Sequence, residues 1–166
     1  LRSLAGGKRV ENVEDVLAGK AHAATGAPVA IVSPADTVAH AVSALREHNV
    51  GALVVSADGS AMDGIISERD VVRRLAAESS AALERPVSEV MTTPVRTCAM
   101  SDDLAELART MTDNRIRHLV VEADGVMVGI VSIGDVVKSR LDQLEAERQR
   151  LTRENDQITE YIQTGR

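Results

Sequence analysis

The stretch GIISERD, residues 64–70, has a near copy in GIVSIGD, residues 129–135. Both stretches read Gly-apolar-apolar-Ser-x-x-Asp. One copy alone predicts a short strand that turns into a helix, with Ser as the N-cap residue and the acidic residue three positions later bonding back to the cap. The polar residues of the pattern are Ser67 and Asp70 in the first copy, and Ser132 and Asp135 in the second. Because recurrence indicates an internal repeat, the flanking sequence decides what the two copies mean.

The repeat extends well upstream of both motifs. PVAIVSPADTVAHAVSALREHNVGALVVSADG, residues 28–59, aligns without a gap with PVRTCAMSDDLAELARTMTDNRIRHLVVEADG, residues 94–125. Each copy contains a short apolar strand, an N-cap-rich turn, apolar residues at helical spacing, a strand rich in β-branched residues and an Asp-Gly hairpin turn. With the motif added, the order is β-α-β-β-α, twice. A shorter similarity between VEDVL (13–17) and VSEVM (87–91) indicates a repeated segment before each unit.

The alignment also positions the individual elements. The first strands are predicted at Val29–Val32 and Val95–Cys98, and the central strands at Ala52–Ser56 and His118–Glu122. The predicted core faces of the first helices are Val38, Val42 and Leu45, and Leu104, Ala108 and Met111. The second helices are expected to start near the two motif Asp residues. Since neither short unit easily buries both faces of a sheet, we expect an α+β fold whose two repeats pack sheet to sheet with pseudo-twofold symmetry.

The composition excludes several classes of protein. The chain of 166 residues has a formal charge of −6 and no apolar run long enough to span a membrane. Tyr161 is its one aromatic residue, whereas binders of single-stranded nucleic acid stack bases on aromatic rings, so we expect neither nucleic acid nor membrane as a partner. The single cysteine, Cys98, and the lack of a signal-peptide pattern predict a cytoplasmic protein. The histidines lack metal-ligand spacing, which predicts no metal site.

The surroundings of the motifs are typical of one family. The first motif continues as SERDVVRRLA, and the second repeat opens with MTTPVRT. With the two motifs in matching places of two β-α-β-β-α units, the sequence from about residue 10 to 140 resembles a tandem pair of cystathionine-β-synthase (CBS) domains, often called a Bateman module. The resemblance implies a first CBS domain at residues 10–78 and a second at residues 79–140. Residues 141–166 are then a C-terminal helix.

The motif residues have the chemistry of a nucleotide site. A helix N-terminus presents free N–H groups and a positive dipole potential, which suit phosphate or sugar oxygens. An ionised Asp there accepts two hydrogen bonds from a vicinal diol such as that of ribose. The resemblance implies this use, with Asp70 and Asp135 holding ribose and with Ser67 and Ser132 close to the phosphate. The alternative from the residues alone is that Ser and Asp only cap their helices.

The base of such a ligand needs an apolar site. With no Phe or Trp in the chain, adenine has to lie between aliphatic side chains and backbone groups. The resemblance implies these lining residues: Ile31, Val50, Gly51, Ala52 and Ile66 in the first repeat, and Val95, Thr97, Ile116 and Val131 in the second. The alternative for most of the apolar ones is that they are core residues.

The two repeats differ where a phosphate would lie. The second has Arg117 and His118 at the entry to its central strand, where family members often meet phosphate, and Arg forms two parallel bonds to it. The first has Gly51 and Ala52 at the same place. We therefore expect two unequal clefts, with a phosphorylated ligand beside Asp135 and a less charged ligand, or none, in the other.

These features predict a regulatory module with no catalytic residues and no catalytic cofactor. The expected ligand is an adenosine compound (AMP, ADP, ATP, NAD or S-adenosylmethionine), bound between the repeats, which passes a conformational change to an unknown protein partner in trans. The sequence has no P-loop and no GxGxxG, and it leaves no room for the catalytic barrel that accompanies CBS pairs in IMP dehydrogenase. The alternative is a dimerisation scaffold whose clefts bind nothing.

The C-terminal stretch VKSRLDQLEAERQRLTRENDQITEYIQTGR, which begins at Val137, has a heptad pattern. The seam residues at alternating spacings of four and three are Val137, Leu141, Leu144, Arg148, Leu151, Asn155, Ile158 and Ile162. A polar seam residue such as Asn155 fixes register in two-stranded coiled coils, at some cost in stability. We expect a homodimer with the two tails side by side. The alternative is that the apolar stripe packs on the body of its own chain.

Overall fold

The computed structural model describes residues 12–23 and 29–164 of the chain. Residue 10, the predicted start of the first domain, lies outside these ranges, as do residues 165 and 166 of the predicted tail. The first part contains α1 (Val13–Ala23), β1 (Ile31–Val32), α2 (Val38–His48), β2 (Ala52–Val55), β3 (Gly64–Ser67) and α3 (Glu68–Glu78). Two short 3₁₀ helices, Ser79–Glu84 and Val87–Glu89, follow. The second part contains β4 (Thr97–Ala99), α4 (Leu104–Asp113), β5 (His118–Ala123), β6 (Val126–Ser132) and α5 (Ile133–Thr164).

The two repeats have the same sheet topology. Each has three strands, in the orders β1-β2-β3 and β4-β5-β6, with the first pair parallel and the second antiparallel. The register also matches, because Val54 pairs with Ile31 and Ile65 while Val120, its counterpart, pairs with Thr97 and Ile130. The predicted α+β fold with two β-α-β-β-α repeats and a long C-terminal helix is confirmed.

Some element positions differ from the prediction. Val42 is 40% exposed, so its assignment to the core was wrong. The buried face of α2 consists of Val38, Ala41, Ala44 and Leu45, because the stripe at spacings of three and four passes through the small Ala41. In α4 the fully buried residues are Leu104, Leu107 and Met111, and Ala108 is only partly buried. The second helices begin at Glu68 and Ile133, before the motif Asp residues, because the motif Ser is the residue that precedes each helix.

Each repeat has its own buried cluster. Leu53, Val55 and Ile66 belong to the first, and the second contains the corresponding Leu119, Val121 and Val131. Alternation along a strand places Ala52 and Val54 on the opposite face of their sheet, yet both are also buried. A sheet covered on both faces fits the expected sheet-to-sheet packing.

The repeats also meet directly across this face. A Cβ added to Gly51 of the first repeat would lie 3.1 Å from Nε2 of His118 in the second. The side chain of His118 therefore fills the space that the missing side chain of Gly51 leaves open.

The segment before each repeat packs on the other repeat. At the start of α1, the Val13 N–H donates to the carbonyl of Asp102 at 3.1 Å, and the Glu14 N–H donates to that of Met100 at 2.9 Å. Helix α1 precedes the first repeat in sequence but is bonded to the second. VEDVL lies at the start of this helix, and the similar VSEVM lies in the connector before the second repeat.

The connector before the second repeat is bonded to the first in the same way. The Val87 N–H donates to the carbonyl of Asp36 at 2.8 Å, and the Ser88 N–H donates to that of Pro34 at 3.0 Å. These acceptors are the counterparts of the two that α1 uses. This exchange of segments links the two repeats. The segment before the first repeat packs on the second, and the segment before the second repeat packs on the first.

The motif glycines are where the exchanged segments come closest. A Cβ on Gly64 would lie 2.5 Å from Sδ of Met91, and a Cβ on Gly129 would lie 2.8 Å from Cδ2 of Leu17. Met91 and Leu17 are counterparts in the two exchanged segments. Glycine thus allows this close approach, since a side chain here would force Met91 or Leu17 to repack.

Helix α5 has 32 residues and passes through the predicted domain boundary at residue 140 without a break. It starts inside the second motif. Within the described ranges, no helix is both long enough and apolar enough to cross a bilayer.

The exchange can be tested at Gly129. We expect Gly129→Ala to lower the free energy of unfolding by about 1–3 kcal/mol, because the added methyl group overpacks the contact with Leu17. Leu17→Ala also destabilises, but the double variant should lose less than the sum of the two, since each change relieves the other. The measurement is denaturant unfolding of all three variants.

Gly19→Ala is the control, because nothing lies within 4 Å of a Cβ at that position of α1. It should be neutral or slightly stabilising, as Ala favours helix. If the double variant instead loses as much free energy of unfolding as Leu17→Ala and Gly129→Ala together, Leu17 of α1 does not pack against Gly129.

Candidate functional site

The first motif forms a closed set of hydrogen bonds at the junction of β3 and α3. The backbone N–H of Ser67 donates to Oδ2 of Asp70 at 2.8 Å, and the Ser67 hydroxyl donates to the same oxygen at 2.6 Å. The helix start is also tied to the neighbouring strand, because the Glu68 N–H donates to the carbonyl of Gly51 at 3.1 Å. The capping expected from the sequence is present.

The second motif repeats this geometry at the junction of β6 and α5. Oδ2 of Asp135 accepts from the backbone N–H and the hydroxyl of Ser132, both at 2.7 Å. The Asp135 N–H donates back to the Ser132 hydroxyl at 3.2 Å. The Ile133 N–H donates to the carbonyl of Arg117 at 2.9 Å, as Glu68 does to Gly51. The equivalent backbone bonds place Arg117 and Gly51 at matching positions.

The exchanged segments give the two carboxylates different partners. Asp135 forms an ion pair with Lys20 of α1, whose Nζ lies 2.5 Å from Oδ2 and also donates to the carbonyl of Ile130 at 3.0 Å. Asp70 instead accepts from the hydroxyl of Thr92 in the connector, at 3.2 Å to Oδ1. One motif carboxylate thus has a cation beside it, and the other has a neutral hydroxyl.

Lys20 and Thr92 were not predicted from the sequence. Lys20 lies three residues after VEDVL and Thr92 lies directly after VSEVM, so that similarity was the available signal. The similarity alone does not locate these residues. The exchange of segments brings Lys20 to the motif of the second repeat and Thr92 to the motif of the first.

The pKa of Asp135 reflects these contacts. Burial of the carboxyl raises its pKa, but the hydrogen bonds from Lys20 and Ser132 and the charge of Lys20 outweigh burial and hold the pKa below its ordinary value. Asp135 is therefore ionised at neutral pH, which makes it an acceptor only.

His118 lies where charged groups from both repeats converge. Burial lowers the pKa of His118, Lys20 and Arg117 lower it further, and Asp135 and Glu68 oppose the shift. At neutral pH the imidazole is then largely uncharged. It remains able to donate one hydrogen bond and accept another.

The predicted base-lining residues fall into three groups. Ala52, Ile66 and Val131 are at most 2% exposed, so they are core residues, which was the alternative considered for them. Gly51, Val95 and Ile116 are half-buried. Ile31, Val50 and Thr97 are exposed.

Thr97 lies on β4, where it pairs with Val120, whereas Ser132 lies on β6 at the other side of β5. Thr97 lines a groove of about 310 Å³ between β4 and α4, together with Arg96, Leu107 and Thr110. Neither Ser132 nor Asp135 lines this groove.

Cys98 lines the same groove but does not have the properties of a nucleophile. It is 7% exposed, and burial, with a contribution from the charge of Asp102, raises the pKa of its thiol to about 11. The thiol is therefore protonated at neutral pH. In the described part of the chain, no three His, Cys, Asp or Glu side chains are grouped so that they could hold a metal ion.

Known proteins share both the repeats and the fold. A family model described as "CBS domain" matches residues 23–77 and again residues 87–142. The chain is similar to the mitochondrial CBS domain-containing protein CBSX3 of Arabidopsis thaliana, with 37% identity over 157 residues, which cover 92% of this chain and 72% of that protein. It is 33% identical over 118 residues to the CBS domain-containing protein YhcV of Bacillus subtilis, covering 71% and 83% of the two chains. The crystal structure of the CBS-domain containing protein ATU1752 from Agrobacterium tumefaciens matches with a TM-score of 0.74 and 37% identity, covering 83% of this chain and 99% of that one.

The ion pair of Lys20 and Asp135 has a measurable pH signature. We expect Lys20→Met to raise the pKa of Asp135, because the main donor is lost while burial remains. A carboxyl whose pKa is lower in the folded state stabilises the fold above its unfolded pKa, and this contribution disappears as pH falls through the folded pKa. On acidification the variant should therefore begin to lose stability at a higher pH than the wild type.

The measurement is an NMR titration of the Asp135 carboxyl carbon, combined with thermal unfolding between neutral and acid pH. Lys20→Arg is the control, since it keeps a cation at this position. An unchanged Asp135 pKa in Lys20→Met would contradict the ion pair.

Proposed function

The chain belongs to the CBS-domain family, and from this premise we propose that it is a regulatory module that binds an adenosine-containing ligand beside Ser132 and Asp135. CBS domains are in general regulatory modules that bind such ligands. The finer proposal is that the second cleft of this chain takes a phosphorylated adenosine compound such as AMP, ADP, ATP or NAD. In that cleft the Asp135 carboxylate accepts from the ribose hydroxyls.

The observation that carries the proposal is the grouping of basic side chains around Asp135. Lys20 contacts the carboxylate, His118 pairs with Ser132 across the β5–β6 ladder, and Arg117 precedes His118 with an exposed side chain. Phosphate carries negative charge and accepts several hydrogen bonds, which Arg and Lys supply as charged donors and neutral His as a single donor. The N-terminus of α5 adds a favourable dipole potential.

The carboxylate suits the sugar for an independent reason. Its depressed pKa keeps it ionised, and both hydrogen bonds from Ser132 go to Oδ2. Among the described residues no hydrogen bond reaches Oδ1. That oxygen is the natural acceptor for a ribose hydroxyl, so the cap and the ligand can use the carboxylate together.

The first cleft has no counterpart of Arg117 and His118 in its central strand. Thr92 donates to Oδ1 of Asp70, and Gly51 and Ala52 stand where the second repeat has Arg117 and His118. The carboxylate of Glu68 is also directed toward this region, within 3.7 Å of a Cβ built on Gly51. We propose that this cleft takes a less charged ligand, such as adenosine or S-adenosylmethionine, or stays empty.

The regulatory output follows from the position of Asp135 in the first turn of α5. A ligand that binds one orientation of this helix better than another shifts the population toward it by its differential affinity. The readout is a protein partner in trans, and the chain itself has no catalytic role. A cytoplasmic location belongs to this proposal, and the mitochondrial name of the Arabidopsis relative makes the mitochondrion the alternative.

A second candidate function is a dimerisation scaffold that binds no ligand. The observation in its favour is that both motif carboxylates already have partners within the chain, Lys20 in one case and Thr92 in the other. Thermal unfolding with AMP, ATP, NAD and S-adenosylmethionine separates the two. A ligand at a hundred times its Kd adds about 2.7 kcal/mol to stability, and a scaffold shows no shift with any of them.

The unequal clefts predict unequal effects of two matched substitutions. We expect Asp135→Asn to weaken AMP binding by about 10- to 100-fold, the equivalent of losing hydrogen bonds to a charged acceptor. Asp70→Asn should leave AMP affinity within about twofold of the wild type. Isothermal titration calorimetry measures both.

The pair is its own control, because each substitution alters the same helix cap. Arg117→Ala should weaken AMP while leaving adenosine unchanged, and Arg109→Ala on α4 should affect neither. Equal losses of AMP affinity in Asp70→Asn and Asp135→Asn would contradict the assignment of the phosphorylated ligand to the second cleft.

A further inference from the structure

The distal part of α5 projects away from the rest of the chain. Gln143 is the last half-buried residue, and every side chain from Leu144 to Gln163 is exposed. An isolated helix of this length is marginal in water, because most helical stability in proteins comes from packing of an apolar face. The distal helix therefore needs a surface to pack on, and its own chain does not provide one among the described residues. The alternative from the sequence was that the apolar stripe packs on the body of its own chain. For this part of the helix that alternative is wrong.

The exposed apolar residues lie on one stripe that fits a two-stranded coiled coil. Positions a of the heptad are Leu141, Arg148, Asn155 and Ile162, and positions d are Val137, Leu144, Leu151 and Ile158. The six apolar members of this seam are between 50% and 72% exposed. A stripe of this kind is buried when a second helix supplies the matching knobs and holes.

We propose that a second copy of this chain covers the stripe, with the two α5 helices parallel and in register. All four d residues are apolar, while two of the four a residues are polar. In an antiparallel pair a residues face d residues, so Arg148 and Asn155 would each be buried against an apolar side chain with no hydrogen-bond partner. In a parallel pair Asn155 meets Asn155 of the partner, which is the arrangement that fixes register in dimers.

The flanking charges are complementary in the same arrangement. In a parallel pair a g residue approaches the e residue of the following heptad on the partner, which brings Arg140 to Glu145. Arg148 at position a extends its side chain toward the partner's g residue, Glu147, so the like charges of the two Arg148 residues point apart. The stripe therefore selects a copy of itself by both polarity and charge.

The pairing of the two α5 helices needs no ligand and does not rest on the proposed function. It nevertheless has a consequence for the cleft beside Asp135. One unbroken helix carries Asp135 in its first turn and the seam from Val137 onward. The second motifs of the two copies are thereby joined through a common stalk. A tilt of α5 at one cleft reaches the other copy through the stalk.

A disulfide cross-link tests orientation and register together. Ile158→Cys places two d-position thiols side by side in the parallel dimer, so mild oxidation should give a covalent dimer. In the antiparallel pair the same thiols would be about 25 Å apart, from the rise of 1.5 Å per residue. The native Cys98 does not interfere, since it is buried and its thiol pKa is raised to about 11. Arg153→Cys, on the outer face of the helix, is the control and should stay uncross-linked.

Sedimentation equilibrium of the full chain completes the test. The wild type should be a dimer, and the double variant Leu144→Asp and Leu151→Asp should raise the dimer dissociation constant more than about 100-fold, because two buried apolar side chains per chain are lost. Thermal unfolding of the double variant should still show a folded body, since both residues lie outside the two buried clusters. The proposal is overturned by a monomeric wild type, by a dimer that survives the double substitution, or by Ile158→Cys failing to cross-link.

Discussion

The hydrogen bonds between Ser132 and Asp135 are the interaction on which the rest of the structure depends. They fix the residue at which β6 ends and α5 begins, and they hold an ionised carboxylate at the N-terminus of that helix. The same bonds between Ser67 and Asp70 fix the first repeat. The two halves differ around this shared junction in two ways: by Arg117 and His118 in place of Gly51 and Ala52 within the repeats, and by the segments that come from elsewhere in the chain.

The exchange of segments turns a symmetric pair into an asymmetric one. Each repeat is completed by the stretch that precedes the other, and the motif glycines leave just enough space for it. The exchanged stretches bring Lys20 to one carboxylate and Thr92 to the other. The covering segments therefore add to the charge difference that Arg117 already makes between the clefts, while the repeats keep the same topology.

The architecture could be predicted from the sequence because the sequence contains an internal repeat. Hydrophobic spacing and the repeated motif were enough for the element order, the two hairpins and the helix caps. Val42 was misplaced because the spacing allowed two stripes, and only packing shows that the smaller Ala41 faces the core. Lys20 was missed because its contact with Asp135 spans most of the chain and no local pattern marks it. Thr97 was assigned by resemblance and stays a prediction, and in the structure it lines the groove between β4 and α4.

The central claim is that each chain offers one cleft to a phosphorylated adenosine ligand and that two chains are joined through α5. Native mass spectrometry of the full-length protein, titrated with AMP, counts chains and ligands in the same spectrum. We predict a species of two chains that fills with two AMP molecules and takes up further AMP only at much higher concentration. A dimer that binds four AMP molecules with equal affinity, a dimer that binds none, or a single chain would contradict it.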